Sequence, residues 1–70
     1  MWNYENMQVT GKYLGVYPVI GVVELSRVAY GGEVKHTIVL NEPIFVHGSI
    51  RERVILNHSE IETVKDYYAV

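Results

Sequence analysis

Three histidines, at positions 36, 47 and 58, are the side chains of this 70-residue chain best suited to chemistry near neutral pH. Their even spacing does not make a metal site. Two imidazole ligands on one element normally stand a few residues apart, with a carboxylate or thiolate close by, and the chain has no cysteine. Catalysis has no firmer footing. Ser26, Ser49 and Ser59 show no recognisable activating base, and Glu60 with Glu62 reads as a charged strand–turn segment, not an acid–base pair. Gly31-Gly32 and Gly48 lack the glycine-rich context that cradles phosphates. These readings describe a protein that is not an enzyme and needs no cofactor or metal. Arg27, Lys35, Arg51 and Arg53 remain as cations for phosphate oxygens. Arg51 and Arg53 flank Glu52, so a solvated, salt-bridged strand face accounts for them equally well.

The elements that would position such residues must fit in one small domain spanning 1–70. A chain of this length buries only about 60% of the surface it exposes when unfolded, so its core needs support. Without cysteine there are no disulfides and no thiolate zinc site. Apolar residues make up 49% of the chain and aromatics 11%, more than so short a monomer needs. Self-association is the support this composition predicts. The formal net charge of −2 lacks the broad basic footprint of most nucleic-acid binders. No stretch reads as a signal peptide or a membrane span, which predicts a cytosolic setting without membrane contact.

Alternation predicts five strands. The first runs from Met7 to Leu14, with a break over Gly15–Pro18. The second covers Val19–Tyr30, with Val23 and Leu25 on one face and Glu24 and Ser26 on the other. Its phase changes near Ser26-Arg27, which predicts a β-bulge or sharp bend. Gly31-Gly32 is read as a two-residue hairpin turn. The third strand spans Glu33 to Val46, with Val34, His36, Ile38 and Leu40 on one face and Pro43 at a bend or edge. His47–Ser49 turns into a fourth strand, Ile50–Leu56. A polar break at Asn57–Glu60 leads to a fifth, Ile61 to about Tyr68. Residues 1–6 have no period and fit a loose arm or one helical turn. Ser59 with Glu62 has the spacing of a helix capping box, but the valine, threonine and tyrosines that follow favour strand. Five short, strongly bent antiparallel strands make a small all-β barrel of the SH3-like or Sm-like kind.

Particular segments strengthen that reading. Ile20-Gly21-Val22-Val23-Glu24-Leu25 and Thr37-Ile38-Val39-Leu40 resemble the two halves of the first motif of Sm-like proteins. Arg51–Val64, an apolar strand, a short polar turn and Ile61-x-x-Val64, resembles the second. Asn57-His58 stands where many members carry Arg-Gly and the bacterial host-factor branch carries Lys-His. The pattern is also similar to small Sm-like proteins attributed to cyanophages. The family's Asp and Asn of the first-motif turn have no counterparts here; the longer hairpin Arg27–His36 replaces them.

The resemblance implies a homo-oligomeric ring in which the fifth strand of one copy pairs with the fourth of the next. Val54, Leu56, Ile61 and Val64 are then the expected core and interface residues. It also implies single-stranded RNA as a partner, in a bacterial or phage-infected cell, with a pore that focuses a few cations despite the net charge. Tyr30 or His36 would stack on a base, Asn57 would bond a base edge and His58 would donate to a base or phosphate. Plainer roles compete: Tyr30 as hairpin packing, His36 as a core histidine bonded to backbone, Asn57 and His58 as turn residues. The rival function is an SH3-like protein-interaction module or small phage structural protein that binds no RNA.

Overall fold

The structure, a computed structural model, describes residues 2–66, leaving out the side chain of Asp66. Alternating β-branched residues form five strands: β1 (Met7–Tyr13), β2 (Tyr17–Val28), β3 (Val34–Val46), β4 (Ser49–Asn57) and β5 (Ile61–Asp66). They make one antiparallel sheet in the order β4-β3-β2-β1-β5. A 3-10 turn, His58–Glu60, joins β4 to β5 and is the only helical segment among the described residues. The expected closure into a barrel is not found. β4 and β5 are the two edges of the sheet, and no ladder joins them among the described residues. The sheet curls nonetheless. Gly11 of β1 lies so close to Leu56 of β4 and to the Glu60 carbonyl that a Cβ there would stand 3.0 Å and 2.5 Å from them.

Bulges produce the curl by changing which face a strand presents. In β2 the register moves from Val23↔Ile38 to Leu25↔Thr37, which leaves Glu24 as the extra residue. The expected break near Ser26-Arg27 therefore falls slightly upstream, with a large effect. Ser26 turns inward at 5% exposure and Leu25 turns outward at 46%, the reverse of the expected faces. In β3 the residues between Val39 and Ile44 stand opposite Glu52 alone. Pro43 sits in that irregular stretch, where its missing N–H breaks no regular ladder. A smaller shift separates Gly11↔Ile61 from Thr10↔Thr63, with Glu62 as the extra residue of β5.

The turns also differ from expectation. Leu14, Gly15 and Val16 make the β1–β2 turn, and Tyr17 and Pro18 already belong to β2. Gly31 and Gly32 both have positive φ, as a tight turn requires, but they sit in a longer loop. Ala29 N–H bonds the Glu33 carbonyl and Gly32 N–H bonds that of Ala29. Among the described residues the two-residue hairpin is instead His47-Gly48, closing Val46↔Ser49 with φ of +50° and +80°. Residues 3–6 are neither a loose arm nor a helical turn. Tyr4–Met7 is a tight turn with Asn6 at φ +70°, a position suited to asparagine, and Asn6 N–H bonds the Val23 carbonyl. Tyr67 and Tyr68, the expected end of the fifth strand, lie outside the described residues.

The inner face carries the core: Val9, Val19, Val23, Ile38, Leu40, Val54 and Leu56, with Tyr4, Tyr13, Ile44 and Ile61 packed against it. Gly21 lies in the central strand, where a Cβ would collide with the Val39 carbonyl oxygen and crowd Ile38 at 2.8 Å. Both obstacles belong to a hydrogen-bonded neighbouring strand that has no room to move. Gly21→Ala is therefore expected to destabilise the protein by at least about 2 kcal/mol in urea unfolding. A loss under about 0.5 kcal/mol would contradict this packing.

Candidate functional site

His36 stands at the middle of a buried polar cluster. It projects from the inner face of β3 beside Ile38 and is wholly buried. The Glu24 bulge brings Ser26 opposite it across the sheet, and Leu56 lies on its other side. Ser26 Oγ and His36 Nδ1 are 2.7 Å apart, and His36 Nε2 is 3.0 Å from Nδ1 of His58, the first residue of the 3-10 turn. His36 is thus satisfied by two side chains, not by backbone. Tyr4 covers the pair: its ring stacks on His36 at 4.9 Å and on His58 at 5.0 Å between centroids. Tyr4 N–H donates to Ser26 Oγ at 3.0 Å, and Ser26 N–H donates to the Glu5 carboxylate at 2.9 Å. Every buried side-chain nitrogen or oxygen among the described residues has a partner.

Local structure holds His58 in place. Asn57 ends β4 in extended conformation, and its N–H donates to the Glu60 carboxylate at 2.7 Å. The capping interaction is therefore made by Asn57 and Glu60, where the sequence pattern points to Ser59 and Glu62. The Asn57 side-chain oxygen accepts from Lys35 Nζ at 2.8 Å, and Lys35 also meets Glu33 at 2.9 Å. Directly opposed residues share a face, so Arg27, Lys35 and Asn57 form one row across β2, β3 and β4 on the outer surface.

The residues picked out by sequence are thus dispersed in role. His36 is enclosed and presents no face to a base. Asn57 is engaged by Lys35 and the turn. His58 is half-buried, and Tyr30 is 98% exposed on the β2–β3 loop with no hydrogen bond or ring contact among the described residues. Arg53 lies on the outer face and meets Glu24 at 3.3 Å, while Arg27 and Arg51 have no ion-pair partner among the described residues. Val54 and Leu56 are consumed by the chain's own core, and Ile61 packs partly against it. Val64 of edge strand β5 is 39% exposed. Sequence reasoning missed Tyr4, Glu5 and Ser26. Placing the phase break at Glu24 would have turned Ser26 inward toward His36; the first residues carry no period that reveals Tyr4 or Glu5.

The described residues form no cluster of metal-binding side chains and enclose no pocket. No helix among them is long and apolar enough to cross a membrane. No family model, curated protein or solved structure matches this chain.

Burial holds the His36 imidazole below its ordinary titration range, and the neighbouring His58 lowers it further. The unfolded chain takes up that proton at about pH 6.5, before the folded chain does. Stability from this group is complete above about pH 6.5 and is lost as the pH falls toward the folded-state value, with a slope of at most about 1.4 kcal/mol per unit. The melting temperature is expected to drop between pH 7 and pH 5, and His36→Gln to flatten the drop. A flat wild-type profile over that range would contradict the assignment.

Proposed function

We propose that this protein is an Sm-like, ring-forming module without enzymatic activity, which self-associates through its sheet edges and contacts single-stranded RNA. One observation carries the reading: an open, curled sheet in which β4 and β5 each leave one side unpaired among the described residues. An unpaired edge displays backbone donors and acceptors that another strand readily takes up. Apolar side chains accompany those edges. Ile50 and Ile55 on β4 are 65% and 51% exposed, and Phe45, opposite Ile50, is 66% exposed. Pairing β4 of one copy with β5 of the next would satisfy both edges and repeat to closure. The same contact would supply the burial that a core of this size lacks.

The RNA part draws on the outer row Arg27–Lys35–Asn57 and on exposed Tyr30 of the β2–β3 loop, with His58 following Asn57 in the chain and set against His36 on the inner side. Cations there would hold phosphates, and Tyr30 is the group free to stack on a base. A second reading, a protein-interaction module, is favoured by another row. Leu25, Thr37 and Ile55 lie side by side on the outer face, aliphatic and without an aromatic platform.

Native mass spectrometry separates self-association from a solitary module. A single closed assembly of roughly five to eight copies is expected. Ile55→Lys with Thr63→Lys should convert it to monomers that keep the β-sheet circular-dichroism spectrum, because both residues lie on the outer face of an edge strand, where lysine blunts the edge without entering the inner core. A wild-type monomer at all concentrations, or an assembly indifferent to both lysines, would sink the ring. For RNA, oligo-uridine affinity should fall with salt, and losing Arg27 or Lys35 should flatten that dependence by about 0.7 in log–log slope for each phosphate contact. Absence of binding at low salt would assign the protein to the interaction-module class.

A further inference from the structure

The hydrogen bonds of the His36 cluster can run in only one direction. Tyr4 N–H is a backbone donor, so Ser26 Oγ accepts from it. The Ser26 hydroxyl proton then has one acceptor within reach among the described residues, His36 Nδ1 at 2.7 Å. A neutral imidazole that accepts at Nδ1 carries its proton on Nε2. His36 Nε2–H therefore donates to His58 Nδ1 at 3.0 Å, and His58 in turn carries its own proton on Nε2. That last nitrogen has no partner among the described residues, no buried side-chain nitrogen there is left unsatisfied, and His58 itself is only half-buried. The opposite tautomers fail on the same count. With His36 protonated at Nδ1, Ser26 Oγ would receive two donors and its own buried proton would have nowhere to go.

We propose that the relay from Tyr4 through Ser26 and His36 locks His58 as the Nε2–H tautomer, a fixed surface donor for an acceptor oxygen of a bound oligonucleotide. The ligand assignment rests on the RNA reading above; the lock does not. Histidine free in solution exchanges between tautomers and can offer a ligand either a donor or an acceptor. Here the buried partner removes that choice. His58 then selects a carbonyl or phosphate oxygen and rejects a ligand donor at the same position. Ser26, His36 and Tyr4 are positioning residues in this scheme, since only His58 would touch the ligand. Their arrangement explains why a wholly buried histidine sits in so small a core: it carries hydrogen-bond polarity from the backbone to the surface.

Nitrogen-15 NMR of histidine-labelled protein at pH 7.5 tests the lock without any ligand. Both His36 and His58 should show a protonated Nε2 and an unprotonated Nδ1. His36→Gln keeps an amide that accepts from Ser26 and donates to His58, so it should preserve the His58 tautomer, whereas His36→Leu should leave His58 as a mixture. A mixed or Nδ1–H His58 in the wild type would overturn the proposal even if both variants failed to fold. The ligand half is tested by titrating an oligo-uridine and an abasic ribose-phosphate oligomer of equal length. His58→Phe should weaken oligo-uridine roughly tenfold, the worth of about one good hydrogen bond to a charged or carbonyl acceptor. Equal weakening of the abasic oligomer would place the donor on a phosphate; weakening of oligo-uridine alone would place it on a base carbonyl. A locked tautomer with neither oligomer bound, or with oligo-uridine indifferent to His58→Phe, would overturn the ligand assignment while leaving the lock in place.

Discussion

Enclosing a neutral imidazole in a core this small is the constraint on which the rest of the structure depends. A buried polar ring is destabilising unless both nitrogens are hydrogen-bonded, and His36 meets that demand with side chains from two other parts of the chain. Ser26 reaches it only because β2 bulges at Glu24. His58 reaches it only because β4 ends in a 3-10 turn braced by Asn57 and Glu60. Tyr4 joins both rings only because the first described residues fold back and are pinned at Asn6 and Ser26. One imidazole thus ties together the N-terminal turn, the bend of β2 and the start of the link to β5. Losing it would release all three, which is a larger effect than removing one hydrogen bond.

The same geometry sets what the sheet can do next. The bulges curl it so that β1 approaches β4, yet the 3-10 turn carries the chain from β4 to β5 without laying them side by side. Curling buries the inner face inside one copy, while the open edges and the outer aliphatic row stay available. The residues that build the core are therefore not the ones left exposed on the outer face. Val54 and Leu56 face inward, whereas Ile55, one step away, faces outward on the same strand, as period-two alternation requires.

Much of this was legible in the sequence. Five strands, the inward face of β3 with His36, Ile38 and Leu40, and the His47-Gly48 turn all follow from period-two alternation and turn-forming residues. What was not legible depends on register. Moving one bulge from Ser26-Arg27 to Glu24 exchanges the faces of Leu25 and Ser26, and local alternation does not resolve such a shift. The cluster is half visible: His36 and His58 stand out as residues, but alternation only sets Ser26 on the face opposite Val23 and Leu25, and Tyr4 lies in a stretch without period. Apart from the Ser26–His36 pair, 10 residues apart, the hydrogen bonds among these four residues span 22 residues of chain, a separation at which no spacing rule operates. Closure into a barrel was over-read, because strand number and bending alone do not say whether the last edge pairs with the first.

The central claim is that the edges of this sheet are completed by other copies of the chain. Amide hydrogen exchange across a dilution series tests it most directly. The account predicts that outward-facing amides of β4 and β5 are protected about as well as those of β2 and β3 at high concentration, and lose that protection on dilution while the central strands keep theirs. Edge amides that exchange rapidly at every concentration would contradict it.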